Sequence, residues 1–273
     1  MFDYHLHSHF SGDCDVPMRS IVQAALQAGI EELCFTDHID LEYMLGTSFE
    51  FDPVVYIKEI QVMQALAGRN LSIRAGVEVG LQAHVLDKTN QIVRANAFDF
   101  VIASFHGCEG QDFFFGDFFA GKTPKGALEI YVNEALNMLE TYDNFDVLGH
   151  LDIPKRYSQA VASLAPEKRL DMLRPLLERV IAMGKGIEIN TSGWRQPVGV
   201  CFPDPLILKA YYDLGGRVIT LGSDSHGTDT LCADFSRAVG LLREIGFTEA
   251  YRFHKRVGKA YPLEEWVSID QKA

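Results

Sequence analysis

The sequence lacks any run of about 18 apolar residues, so no segment is long enough to cross a bilayer as a helix. Its start, Met1-Phe2-Asp3-Tyr4-His5, lacks the basic and apolar regions of a signal peptide. The five cysteines (Cys14, Cys34, Cys108, Cys201 and Cys232) are odd in number and scattered, with no CxxC pair. That excludes a disulfide framework and points to a reducing cytoplasm. Positive charge is scarce: 25 Lys and Arg against 37 Asp and Glu leave a formal net charge of -12. Such a balance argues against nucleic acid as the main partner, because a phosphate backbone needs a Lys/Arg surface. No low-complexity linker and no solenoid-length repeat is present. No glycine-rich phosphate loop follows the first apolar run, which goes straight into His5-Leu6-His7.

What is present is enough for a full core: 273 residues, 47% hydrophobic and 23% charged. Seven short apolar runs, near 2–7, 32–36, 71–79, 98–104, 145–150, 186–190 and 217–222, alternate with helical patterns. The helical stretches fall near 17–28, 53–68, 124–142, 166–183, 203–214 and 230–245. Pro53, Pro124 and Pro166 mark helix starts, and Gly29, Gly184 and Gly215 lie just past helix ends. Strands alternating with helices imply a parallel sheet. Closing it into a barrel is the simplest one-domain solution over 1–273, with an open doubly wound sheet as the alternative.

The decisive regularity is where polar residues fall. His5 and His7 end the first run and Asp37-His38 follows the second. Glu78 ends the third, His106 follows the fourth, His150 closes the fifth, Asn190 the sixth, and Asp224-Ser225-His226 the seventh. In a parallel barrel these positions converge on one rim, where loops build active sites. Six of the nine histidines lie there. His5 and His7, two apart on a strand, share a face and can hold one metal. Asp224 and His226 repeat that spacing. A carboxylate at Glu78 can bridge two cations. Asp37 and Asp152 are candidates to orient imidazoles, with helix capping or solvation equally open. His9 and His84 could reach the pocket rim, and His254 reads as surface in a charged C-terminal helix.

These segments resemble the PHP (polymerase and histidinol phosphatase) superfamily of trinuclear metallophosphoesterases. The resemblance rests on His5-Leu6-His7, Thr36-Asp37-His38, Gly76-Val77-Glu78, Ser104-Phe105-His106, Gly149-His150 and Gly222-Ser223-Asp224-Ser225-His226. It implies a distorted (β/α)7 TIM-like barrel with its active site at the C-terminal ends of the strands. It implies three divalent metal ions (Zn, Fe or Mn): His5, His7, Glu78 and Asp224 holding the first, Glu78, His106 and His150 the second, and Asp13, His38 and His226 the third. Asp13 stands where other members often carry His; its carboxylate is the harder ligand and favours iron or manganese alongside zinc at that site, and Asp15 lies in the same loop.

Within the superfamily the chain looks most like the histidinol-phosphate phosphatase branch. The segments that carry this are His7-Ser8-His9-Phe10-Ser11, Leu148-Gly149-His150-Leu151-Asp152 with Arg156-Tyr157, and Glu188-Ile189-Asn190-Thr191-Ser192-Gly193-Trp194-Arg195. The implied activity is hydrolysis of L-histidinol phosphate in histidine biosynthesis, or of a different small phosphomonoester. Glu78, Asp224 and Asp13 would act in catalysis, with the general acid left between Asp13 and a bound water. Arg156 and Arg195 would clamp the phosphate; a guanidinium fork matches phosphate oxygens, and both lie just beyond strand ends. The expected partner is a small phosphomonoester, without nucleic acid or membrane, and the chain is read as monomer or homodimer. A two-metal amidohydrolase also opens with HxH, but no Lys ends a middle strand here. A non-catalytic barrel would be expected to have lost ligands, and every ligand position is filled. The loop 39–51 and the aromatic stretch Phe113–Phe119 are candidate pocket walls, the latter reading rather as a structural plug.

Overall fold

Every barrel strand in the computed structural model, which describes residues 1–43 and 49–266, coincides with one of the seven apolar runs. They are β1 (Phe2–Asp3), β2 (Glu32–Phe35), β3 (Ser72–Gly80), β4 (Phe100–Ser104), β5 (Val147–Leu148), β6 (Gly186–Asn190) and β7 (Ile219–Gly222). All pair in parallel in sequence order. The chain after β1 runs beside β7, with Tyr4 N donating to Leu221 O, Asp224 N to His5 O and His7 N to Ser225 O at 2.7–3.0 Å. The sheet is therefore a nearly closed seven-stranded barrel, not an open doubly wound sheet. Strands buried on both faces are apolar at most positions, which is why they read as apolar runs.

Helices wrap the barrel: α1 (Met18–Gln27), α2 (Pro53–Ala67), α3 (Leu86–Ala95), α4 (Pro124–Thr141), α5 (Pro166–Ala182), α6 (Pro205–Asp213) and α7 (Phe235–Ile245). Their punctuation is physical. Asp52 accepts from Val54 N and Thr123 from Gly126 N, each answering an orphan donor of the first turn ahead of a proline. Gly29, Gly184 and Gly215 take positive φ just beyond α1, α5 and α6.

The charged C-terminal helix is not formed. Residues Glu249–His254 (β8) and Val257–Pro262 (β9) make an antiparallel hairpin. It covers the N-terminal end of the barrel: Phe253 N donates to Tyr4 Oη, Lys255 N to Asp99 Oδ1 and Arg256 Nε to Asp146 Oδ2. His254 sits on that hairpin 2.9 Å from Asp99, over half exposed. With one end sealed, the other end, where the strands terminate, is left for chemistry.

Candidate metal centre

Two oxygens of one carboxylate organise the open end of the barrel. Glu78, fully buried on β3, presents Oε2 to His5 Nε2 at 3.1 Å, to His38 Nδ1 at 3.2 Å and to His7 Nε2 at 3.5 Å. Its Oε1 meets a separate pair, His106 Nε2 at 3.2 Å and His150 Nε2 at 2.9 Å. Asp224 Oδ1 closes the first group, 3.7 Å from His5 and 3.4 Å from His7. At the rim Asp13 Oδ2 lies 3.2 Å from His226 Nε2 and 3.7 Å from His38 Nε2. Asp15, exposed, does not line the cavity.

The donor set fits divalent cations. Atoms bound roughly 2.0–2.1 Å from one cation lie about 3.0–3.5 Å from each other, and the donor pairs here lie 2.9–3.7 Å apart. Four triads of donors fall within reach of a shared ion: His5–His7–Asp224, His5–Glu78–His150, His7–His38–His226 and His38–Asp40–His106. His7 Nε2 and His38 Nδ1 are buried without a hydrogen-bond partner, a costly state that ligation would relieve. A mixture of imidazole and carboxylate suits zinc, iron or manganese. Electrostatics agree. Burial would push Glu78 up, but the His5, His38 and His106 imidazoles hold it well below the carboxylate range. Asp224 is likewise held down, by His5 and His7 against burial. Burial, with His226 and His38 beside it, pulls His7 down to about 3, so its ring is neutral. Two of these residues have positive φ, His150 at 20° and Asp224 at 54°, backbone strain that the packed rim imposes.

Behind the donors stand groups that aim the rings. Glu188 Oε2 accepts from His5 Nδ1 at 2.9 Å, and its Oε1 from His150 N at 2.7 Å and Asn190 Nδ2 at 3.1 Å. Asp40 Oδ1 lies 2.8 Å from His106 Nδ1. Neither carboxylate was expected from the sequence. Asp37 acts one step removed: its Oδ1 accepts from the backbone N–H and hydroxyl of both Ser8 and Ser11. Ser11 Oγ in turn meets His7 Nδ1 at 2.9 Å and accepts from His38 N. Asp152 orients no imidazole. It binds Lys155 Nζ at 2.6 Å in a buried network with Asp204 and Arg169 that anchors the turn after His150.

Above the donors opens a cavity of about 350 Å³ lined by Asp13, His38, Asp40, Glu78, His106, His150, Asp224 and His226 on its floor. Tyr43, Phe49, Phe114, Phe115, Ile153, Arg156 and Tyr157 form its walls. The aromatic stretch thus divides: Phe113 and Phe118 are buried plugs, while Phe114 and Phe115 are exposed at the mouth. Of the loop 39–51, residues 44–48 lie outside the described residues. Arg156 faces the cavity, its Nη1 3.7 Å from Asp224 Oδ2. Arg195 does not line it; its guanidinium bonds Asp234, Thr191 and, at 2.5 Å, Ser223 O. His9 and His84 also lie off the cavity, beside Glu59 and Glu42.

Comparison with known proteins yields one consistent neighbourhood. The PHP domain model matches residues 3–192. The histidinol-phosphatase of Lactococcus lactis is 32% identical, the match covering 92% of this chain and 93% of that one. A probable histidinol-phosphatase of Clostridium acetobutylicum is 28% identical over 95% of this chain and 99% of its own. Among solved structures, that of histidinol phosphate phosphatase from Lactococcus lactis with zinc, L-histidinol and phosphate superposes with a TM-score of 0.87. It is 31% identical and the match covers 94% of this chain and 98% of that one. The fold recurs in a putative histidinol phosphatase of Listeria monocytogenes, at TM-score 0.74 and 20% identity over 87% and 99% of the two chains. Since the family model spans well over half of the sequence and takes in the donors from His5 to His150, this chain belongs to the PHP domain family.

Proposed function

We propose that this chain is a metal-dependent phosphomonoesterase that hydrolyses L-histidinol phosphate to L-histidinol and inorganic phosphate, a step of histidine biosynthesis. The observation that carries this is Glu78, whose two oxygens each face their own set of imidazoles. That is the arrangement a carboxylate needs in order to bridge two cations. His5, His7, Glu78 and Asp224 would hold the first, Glu78, His106 and His150 the second, and Asp13, His38 and His226 a third. Bound there, divalent cations would acidify water and neutralise phosphate oxygens.

The chain's own residues do the rest. Arg156 presents its fork from the cavity wall to the equatorial phosphate oxygens as charge spreads over them, and Arg195, behind Ser223, would join it by giving up its bonds to Ser223 O and Asp234. Glu188, Asp40 and Ser11 keep the imidazoles aimed, so little reorganisation accompanies reaction. The aromatic walls (Tyr43, Phe49, Phe114, Phe115 and Tyr157) offer faces to a flat cationic or neutral ring, which an imidazolyl alcohol supplies. The Lactococcus lactis protein, solved with zinc, L-histidinol and phosphate, supports that choice of alcohol. Five free, buried cysteines fit a reducing cytoplasm. We read the whole of 1–273 as one functional domain. Phosphate release measured over a panel of phosphomonoesters tests the reading: histidinol phosphate is expected among the best substrates by kcat/KM. A flat panel, or another monoester far ahead, overturns the substrate assignment.

A further inference from the structure

Two runs of ring contacts line the mouth of the cavity. One starts at a metal donor: Phe49 stands edge-on to the His38 ring at 5.7 Å and to Tyr43 at 5.0 Å. The other starts at Arg156, which lies 5.2 Å from the Tyr157 ring. Tyr157 meets Phe114 at 6.1 Å, and Phe114 meets Phe115 edge-on at 5.0 Å. Tyr43 follows β2 in the chain and Phe115 follows β4, so the two runs belong to different loops. A single carboxylate joins them. Asp112 Oδ2 accepts from the Tyr43 hydroxyl, and its Oδ1 accepts from Phe115 N at 2.8 Å.

Asp112 is 2% exposed, yet it neither lines the cavity nor belongs to any of the donor triads. Burying a carboxylate is costly unless hydrogen bonds offset it, and the two bonds that do so here both go to cavity walls. Burial, with Asp112 beside it, pushes the Tyr43 phenol far up, so the hydroxyl stays a donor to that carboxylate. Meanwhile Phe114 and Phe115 keep about two thirds of their surface in water at the mouth. Core packing does not explain two exposed rings; a flat group entering the cavity would cover them. We infer, resting on the phosphomonoesterase reading above, that Asp112 is a positioning residue for substrate choice. It ties the two runs into one collar with its rings held in place, so that the site prefers a ring-bearing alcohol to a slender one. Walls fixed in advance leave less motion to be lost when the ring binds.

Phosphate release by the metal-loaded chain from L-histidinol phosphate and from glycerol phosphate, a monoester without a ring, tests this. The quantity read is the ratio of the two kcat/KM values. Asp112→Ala should lower that ratio about tenfold, through KM for histidinol phosphate. Asp112→Asn should keep it within about threefold of native, because the amide oxygen still accepts from Phe115 N and the NH2 donates to the Tyr43 hydroxyl. Tyr43→Phe should lower the ratio about as far as Asp112→Ala does, and combining the two should lower it no further. Equal losses on both substrates overturn the inference, because a chain that is merely loosened loses both. Losses that multiply in the double variant overturn it too, since Tyr43 then acts without Asp112. An unchanged ratio in Asp112→Ala overturns it while leaving the substrate reading intact. A native chain with no preference for histidinol phosphate sinks both.

Discussion

Glu188→Gln is a nearly isosteric change, and the hydrogen-bond pattern fixes its consequence. In the native arrangement Oε1 accepts from two donors, His150 N–H at 2.7 Å and Asn190 Nδ2 at 3.1 Å. Oε2 accepts from His5 Nδ1–H at 2.9 Å. A glutamine has one oxygen and one NH2 group, and the oxygen must stay with the two donors. The NH2 then faces His5 Nδ1, which can only accept by giving up its proton to Nε2. That proton would point at Glu78 Oε2, 3.1 Å away, into the place where the first cation is proposed to bind. The alternative is a buried donor facing a donor. Losing such an orienting partner costs about 10–100-fold in metal affinity. Where His5 keeps its Nδ1 proton, the metal-free protein should lose roughly 1–3 kcal/mol, the cost of a buried group left unsatisfied; where the proton shifts, the loss falls on metal binding alone. Competition against a chelator gives the affinity, and urea melts of the metal-free protein give the stability. If Glu188→Gln binds metal as tightly as the native chain, the role assigned to Glu188 is wrong.

Three further outcomes are expected. Ser11→Ala removes the hydroxyl that links Asp37 to His7 Nδ1; metal affinity should fall about tenfold and Ser11→Thr should restore it, as the same chelator competition would show. Arg156→Ala should cut kcat/KM for the phosphomonoester by about 10²-fold or more while leaving the metal count unchanged, whereas equal loss of metal would make Arg156 a structural residue. Burial would raise Asp40, but the neighbouring His106 holds it down to about 2 in the folded chain, below the ordinary aspartate value of 3.8. A depressed carboxylate stabilises above its unfolded pKa and loses that contribution as pH falls through the folded one. The metal-free protein should therefore lose about 2 kcal/mol between roughly pH 4 and pH 2, and Asp40→Asn should remove that part of the acid limb in pH-resolved denaturant melts.

The barrel was legible because parallel strands buried on both faces are mostly apolar, and because six of the seven runs lead into a metal donor. The C-terminal hairpin was not. Its turn, Lys255-Arg256, takes positive φ at both residues without the Gly or Asn that usually signals it. Helix α3 hid because Thr89 is one of its buried positions, interrupting the apolar stripe. The donors could be read from strand ends, but what aims them was only half visible. Glu188 carried a signal, a lone carboxylate between Ile187 and Ile189 on a buried strand. Asp40 carried none. Its place depends on Gly80, where an added Cβ would stand 1.5 Å from Asp40 Oδ1, and such a close approach appears only when the strands are assembled. Arg156 and Arg195 look alike in sequence, yet only the first lines the cavity.

The central claim is that Glu78 bridges cations at the open end of the barrel. Elemental analysis of purified chain beside its Glu78→Gln variant tests it most directly. About three divalent ions per native chain are expected, with the variant retaining about one or none while still folded by circular dichroism. A native chain that binds no metal at all, or a Glu78→Gln variant that keeps the full complement, would contradict the account.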